Sequence, residues 1–418
     1  MALQPVRGTR DLRGDELKGF LDIVSTARAV AGLYGFEEIE TPIFESTDVF
    51  ARTLGDHSDI VTKEMYTFTD KSGDSLTLRP EGTAPVVRSV ISEGLFRELP
   101  LKYFYQGPMF RHERPQKGRY RQFYQIGAEI IGVATPVADA EIISLAWTIF
   151  QRLGIEKNIQ LELNSIGDSQ SRTQYREALK THFKKHEASL SEDSKNRLEK
   201  NPLRILDSKA EEDKPFVATA PKMAEYMTPE AAKFFEELQA HIKALGIPYV
   251  LNDKLVRGLD YYCHTVFEFT TTALGAQNAV LSGGRYDGLI ETMGGPATPG
   301  VGWGGGIDRL ALLAQKKFAA PLTVGVIPLG PENETEALRV MEDLRRSGIP
   351  AQMPYSGNLS KRLKKLDRVN AACALIVGGD EEAKGQVQLK DFKSGTQSAV
   401  DKKQLVAHLR KTFFPESR

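Results

Sequence analysis

The run RHERPQKGRYRQFYQIGAEII, Arg111 to Ile131, constrains this chain more than any other stretch. From Arg119 onward its odd positions are Arg119, Arg121, Phe123, Gln125, Gly127 and Glu129, and its even positions Tyr120, Gln122, Tyr124, Ile126, Ala128 and Ile130. That alternation predicts a strand with one largely apolar face, and puts Arg121, Phe123, Gln125 and Glu129 together on the other. Just upstream, LKYFYQGPMF (Leu101 to Phe110) reads as a partner strand that the Gly107-Pro108 pair should break. Five cations, Arg111, Arg114, Lys117, Arg119 and Arg121, flank the Gly118 turn between the two, with Glu113 as the only acid. A basic surface hairpin with one wet face would alternate in the same way, since antiparallel sheets often solvate one side.

Four further runs tip the reading toward a site. LVRGLDYYCHTVFEF (Leu255 to Phe269) and SGGRYDGLIETMGG (Ser282 to Gly295) combine glycine, arginine, tyrosine and acid in a way surface loops do not. GVGWGGGIDRLALL (Gly300 to Leu313) leads a glycine-dense strand into an apolar helix with Arg309 at its start. TLRPEGTAPVVR (Thr77 to Arg88) places Glu81, Gly82 and Thr83 ahead of another apolar run.

Taken in order with PVRGTRDL near the start, these runs resemble the motifs of the histidyl-tRNA synthetases, bacterial-type class II aminoacyl-tRNA synthetases, over essentially the whole chain. The resemblance implies an α/β fold, an antiparallel sheet flanked by helices, with a helical insertion domain and a C-terminal α/β anticodon-binding domain. It implies ATP-dependent attachment of L-histidine to tRNA(His) by a homodimer, through histidyl-adenylate. The stretch Glu37 to Phe44 carries the matching dimer-forming motif. One departure is Trp303-Gly304-Gly305-Gly306, where relatives carry bulkier apolar residues.

The implied roles suit the residue types. Joining a carboxylate to a phosphate brings two anions together, and arginine stays charged and grips both in a planar fork. By resemblance Arg111 holds the α-phosphate, Arg121 and Arg309 the γ-end of ATP, and Arg257 bridges the histidine carboxylate and α-phosphate. Phe123 stacks on adenine with Arg309 over the other face, Glu113 meets the adenine amino group or anchors the loop, and Mg²⁺ bridges the β- and γ-phosphates without an assigned protein ligand. Glu81 takes the α-ammonium, with Gly82, Thr83 and Gln125 shaping the subsite. Glu129 and Tyr262, with Tyr261 beside them, read the imidazole nitrogens. Arg114, Gln116, Lys117 and Arg119 face the tRNA, reading its extra 5′ guanosine.

Each assignment has a plainer alternative: an internal ion pair for Glu129, a half-buried core aromatic for Tyr262, and for His112, at the opposite strand parity to Arg121, a structural role. Two whole-protein alternatives exist as well. A non-catalytic synthetase-like regulatory subunit of histidine biosynthesis would lose active-site motifs and the C-terminal domain, and a nucleic-acid-binding module would not need the histidine signatures.

Organisation follows from composition. Residues 1–320 read as the catalytic domain, interrupted by a lysine- and glutamate-rich helical insertion over 171–246, and 321–418 as the anticodon-binding domain. Within the insertion, Arg172, Arg176, Lys180 and Lys184 fall at i, i+4 spacing, a solvated stripe or an RNA-facing one. Lys361, Arg362, Lys364, Lys365 and Arg368 form a second basic group on a helix of the C-terminal unit. Fifty-five cationic residues balance fifty-five acidic ones, so any RNA contact must be local. Cys263 and Cys373 are the only cysteines and lie far apart in sequence, against a disulfide framework or a cysteine zinc site. With a polar beginning and no apolar run near ~18 residues, the expectation is a cytoplasmic protein without a membrane partner.

Overall fold

The computed structural model describes residues 3–55, 60–116, 118–274, 279–318 and 321–415, and divides into two compact units, Met1–Lys317 and Phe318–Arg418. The first is built on an eight-stranded sheet in the order Glu37–Glu38, Leu101–Phe110, Gln122–Ile131, Gly300–Gly306, Ala279–Arg285, Cys263–Thr270, Gln160–Ser165, Tyr249–Leu251. The inner pairings are antiparallel and only the two outermost are parallel.

Strand parity decides what lies on each side. Phe104, Ile126, Ala128, Ile130, Val301, Trp303, Phe267 and Phe269 point to one face. There they pack under the helices Gly14–Leu33, Pro136–Leu153, Pro229–Ala244 and Ile307–Ala314. Trp303 is fully buried on that side, and its indole N–H donates to the Ile142 carbonyl at 2.9 Å. On the opposite face, Val86, Val87 and Val90 of the Thr83–Glu93 helix pack on Leu101, Tyr103, Tyr105, Met109 and Ile131, and Ile166, Leu255 and Tyr262 pack on Val266. The remainder of that face stays open above Phe123 and Gln125.

Two strand expectations are corrected. Leu101–Phe110 runs straight through Gly107-Pro108, which pair with Gln125 and Tyr124. Proline survives there because Glu37–Glu38 pairs only at Tyr103 and Phe104, so at Pro108 that side of the strand carries no ladder. Gly107 leaves space for the buried Arg79 guanidinium, which an added Cβ would overlap. The second strand begins at Gln122 rather than Arg119. Arg119 instead bridges to Gln116 around Gly118 at φ +74°, and the Arg121 N–H donates to the Gly8 carbonyl at 2.8 Å. The chain near the start thus takes the backbone bond that a longer strand would have used.

The insertion is helical, with its own small core of Tyr175, Leu179, Phe183, Leu198, Ile205 and Met223. Its last helix is different: Phe235, Leu238 and Ile242 of Pro229–Ala244 join the main core. Entry and exit are pinned together, since the Thr228 hydroxyl donates to Asp168 Oδ2 at 2.5 Å and the Thr228 N–H to Ser171 Oγ at 2.9 Å. The basic residues of the Ser169–Lys184 helix are solvated in part, Arg176 and Lys184 exposed and Arg172 and Lys180 half-buried, and each has a partner within the first unit. Arg172 donates to the Tyr262 carbonyl (2.7 Å) and Arg176 to the Lys200 carbonyl (2.5 Å), while Lys180 pairs with Glu199 (2.5 Å) and Lys184 with Glu187 (3.0 Å).

The second unit is a five-stranded sheet in the order Ala351–Gln352, Thr323–Pro328, Ala371–Val377, Gln386–Asp391, Gln397–Asp401, with helices Glu334–Arg346, Leu359–Arg368 and Leu405–Phe413. Gln397–Asp401 is a strand that the sequence reading missed, because of its exposed, polar pattern. On Leu359–Arg368, Leu366 faces the sheet, Arg362 donates to the Pro328 carbonyl, and Lys361, Lys364, Lys365 and Arg368 are exposed.

Candidate active site

Glu129 sits fully buried on the open face, opposite Gly302 in the neighbouring strand. A Cβ at Gly302 would overlap its carboxylate, so glycine is what lets the acid lie flat between strands. Three hydroxyls donate to it: Thr83 to Oε1 at 2.7 Å, Tyr105 to Oε1 at 3.3 Å, and Tyr286 to Oε2 at 2.6 Å. Burial nevertheless pushes the Glu129 carboxyl up to about 8, only partly offset by the Tyr286 and Thr83 bonds. The Tyr105 ring reaches this position by filling space that Cβ atoms at Gly82 and Gly127 would occupy.

Glu81 is also buried, and accepts from the N–H groups of Thr83 (2.6 Å) and Ala84 (2.8 Å) at the start of the Thr83–Glu93 helix. It is a helix-capping carboxylate. Its own burial raises its carboxyl, against those backbone bonds. Tyr261 and Tyr262 stand beside this group with ring centroids 4.5 Å apart, and Tyr261 meets Tyr286 edge-on at 5.8 Å.

Beyond Gln125 opens a cavity of about 340 Å³ lined by Arg111, Glu113, Arg119, Phe123, Gln125, Arg257, Glu268, Ser282, Gly304, Gly306 and Arg309, with Asp207 and Lys209 reaching in from the insertion. Cβ atoms at Gly304 and Gly306 would touch only Gln125 and Arg309, at 3.5 and 3.6 Å, so these two glycines leave the floor low without being forced by a clash. Arg257 pairs with Glu268 and donates to Ser282 Oγ at 2.7 Å, its guanidinium 5.9 Å from the Tyr262 ring. It also lines a second, basic cleft with Arg172, Arg176, Arg204 and Tyr262.

The expected site residues are therefore distributed unevenly. Arg111, Glu113, Phe123, Gln125, Arg257 and Arg309 meet in one cavity, with Glu129, Glu81, Gly82 and Thr83 buried beside it. The Arg111 guanidinium lies over the Phe123 ring, 5.4 Å from its centroid. Glu113 pairs with Arg119 at the cavity wall. The Arg121 side chain turns away from the cavity toward the carbonyls of Arg7 and Glu113, each at 3.4 Å. Arg114 and Gln116 are exposed, and Lys117 lies outside the described residues. His112 is exposed and meets Tyr66 edge-on at 5.7 Å.

The sequence reading missed Tyr105, Tyr286, Ser282 and Glu268. A signal existed for Glu268, the lone acid in the strand Cys263–Thr270 and flanked there by Phe267 and Phe269. None existed for Tyr105, one of several aromatics that alternate along both faces of the strand Leu101–Phe110.

The Histidyl-tRNA synthetase family model matches residues 8–310, and the Anticodon binding domain model matches 323–412. The chain belongs to the histidyl-tRNA synthetase family. A histidine--tRNA ligase of Rhodospirillum rubrum is 54% identical over 400 residues, 96% of each chain. That of the Wolbachia pipientis strain from Culex pipiens is 50% identical over 409 residues, 98% of this chain and all of its own. Among solved structures, apo S. aureus histidyl-tRNA synthetase superposes with a TM-score of 0.80 at 34% identity, over 97% of this chain and 99% of its own. A Bacillus halodurans protein described as an ATP phosphoribosyltransferase regulatory subunit/histidyl-tRNA synthetase gives 0.62 at 25% identity, over 87% and 97%. Membership in the histidyl-tRNA synthetase family thus rests on nearly the full length, C-terminal unit included.

Proposed function

We propose that this chain charges tRNA(His) with L-histidine, acting in the cytoplasm as a homodimer. The histidine carboxylate oxygen attacks the α-phosphorus of ATP, the bond to the β-phosphate oxygen breaks, and pyrophosphate leaves. A ribose hydroxyl at the tRNA 3′ end then attacks the carbonyl carbon of the adenylate and AMP departs. The observation that carries this reading is Glu129. An ionised carboxylate offers about four acceptor positions, and hydroxyls fill three, leaving one for a ring N–H. Burial raises the carboxyl to about 8 in the empty site, and a ring N–H seated at the remaining acceptor position favours its ionised form.

Arg111 and Arg257 supply fixed positive charge to the anions that meet in the transition state, and Arg309 to the distal phosphates. Arg257 reaches the substrates by exchanging its Glu268 partner for them. Glu81, which accepts one N–H of the helix start on each oxygen, has acceptor capacity for an α-ammonium. Arg121, Tyr261, Tyr262 and Gln125 keep the supporting roles the resemblance implies, Arg121 after a swing of its side chain. Glu113 and Glu268 both already face arginines, so the donor set fits a magnesium ion carried mainly by phosphate oxygens and water. When bound, that ion neutralises charge on the departing pyrophosphate.

Arg114, Gln116, Lys117 and Arg119 would meet the acceptor end of the tRNA, and exposed Lys361, Lys364, Lys365 and Arg368 suit phosphates near its anticodon. Exposed Ile43, Phe44 and Phe68, the two rings 6.5 Å apart, form an apolar patch that a second copy would cover. Nothing in the site favours the regulatory-subunit reading, since the arginines it would lose are all present.

ATP–pyrophosphate exchange by the purified protein tests the assignment. Exchange should require L-histidine, with analogues lacking its polar ring rejected by ~10⁴ or more. Comparable exchange with phenylalanine or glutamine would sink it.

A further inference from the structure

The stretch NPLRILDSK, residues 201–209, belongs to the insertion but holds one turn of the catalytic signature at both ends. Arg204 Nη1 donates to the Arg257 carbonyl at 3.0 Å, and Asn201 Nδ2 donates to Asp260 Oδ1 at 2.9 Å. Between them, a Cβ at Gly258 would come within 3.4 Å of the Arg204 guanidinium, so the two segments are in close contact. Residues 252–262 lie in no strand or helix, and so Arg257 is mounted on backbone that no ladder fixes. Its position must come from side chains packed against the turn.

The insertion is well made to supply that. Arg204 sits in the short Pro202–Ile205 helical turn, with Ile205 and Leu206 buried in the insertion core. Directly after it, Ser208 Oγ donates to the buried Asp213 at 2.5 Å, and Ser191 and Ser194 hydroxyls donate to the same carboxylate at 2.7 and 2.6 Å. Asp207 and Lys209 then enter the wall of the arginine-lined cavity itself.

We propose that Arg204 is a positioning residue for amino-acid activation. Through the Arg257 carbonyl it sets where the Arg257 guanidinium stands, which makes the insertion one wall of the reaction chamber. This rests on the activity proposed above.

The test uses the full chain with Arg204→Ala, Arg204→Lys and Asn201→Ala, reading kcat and KM in histidine-dependent pyrophosphate exchange beside thermal unfolding. Misplacing a reacting group by an ångström costs up to ~10²-fold, so Arg204→Ala should lose ~10-fold or more in kcat. The KM for ATP should hardly move and the unfolding midpoint should hold. Arg204→Lys, which keeps a donor, should recover part of the rate, and Asn201→Ala should show a smaller loss of the same kind. An Arg204→Ala enzyme with wild-type kcat overturns the proposal, as does a loss that follows falling stability and is not rescued by lysine. Should Arg204→Ala not fold, unchanged kcat in Asn201→Ala overturns it instead. Absence of exchange in the wild-type protein would count against the functional assignment, and the two failures are thus distinct.

Discussion

The Tyr286 hydroxyl donates to Glu129 Oε2 at 2.6 Å, from just beyond the end of the strand Ala279–Arg285 to a strand that is not its neighbour. Tyr286 is itself 1% exposed and comes from the SGGRYDGL run, and the bond joins two signatures far apart in sequence. Tyr286→Phe keeps the ring and removes one donor to a buried carboxylate, which typically costs ~1–3 kcal/mol. The KM for histidine should rise while that for ATP stays put. Equal histidine kinetics in the variant would make Tyr286 a core residue only.

Gly302 tests the same acid from the other side. In Gly302→Ala the new methyl overlaps the Glu129 carboxylate, and overpacking of this kind costs ~1–3 kcal/mol. Histidine-dependent exchange should fall sharply while nucleotide binding, followed by calorimetry, persists. Gly304→Ala, whose Cβ meets only ordinary contacts, should be far milder. The reverse order of severity would argue against Glu129 as the ring partner.

The pH dependence of the free protein carries its own signature. Glu129 titrates near 8 when folded against 4.5 unfolded, so the folded state holds the extra proton between those values. The stability tied to that proton is complete below the unfolded value and is lost as pH rises through about 8. Glu129→Gln removes the titration, so its melting temperature should fall less than the wild type's between about pH 6 and about pH 8.5. Parallel curves would show that Glu129 is already ionised.

Arg285 and Asp139 are both fully buried, paired with each other, with further Arg285 bonds to the carbonyls of Val133 (3.0 Å) and Thr135 (3.2 Å) and to Asp287 (3.0 Å). Breaking a buried pair from one side leaves an uncompensated charge, at a cost of ~3–5 kcal/mol. Because Asp287 remains, Asp139→Asn belongs at the lower end of that range, read by urea denaturation. A loss under ~1 kcal/mol would mean Asp287 alone suffices as counter-charge.

Sequence alone determined what depends on local pattern. The period-two alternation after Gln122 put Phe123, Gln125 and Glu129 on one face because side chains along a strand can only alternate, and the structure keeps that parity. The strand–helix order of the C-terminal unit was legible for the same reason, apart from Gln397–Asp401, whose exposed residues carry no apolar period. Tertiary structure decided what depends on elements meeting. Pro108 stays in a strand because a neighbouring strand happens to stop short of it, and Arg121 turns outward because the Arg7–Gly8 backbone lies beside it. Tyr105 and Tyr286 join Glu129 only where three glycines, Gly82, Gly127 and Gly302, leave room for rings and acid to converge. A hydrogen bond across the sheet depends on register and on missing side chains elsewhere in the chain, and neither is a property of the segment that carries the donor.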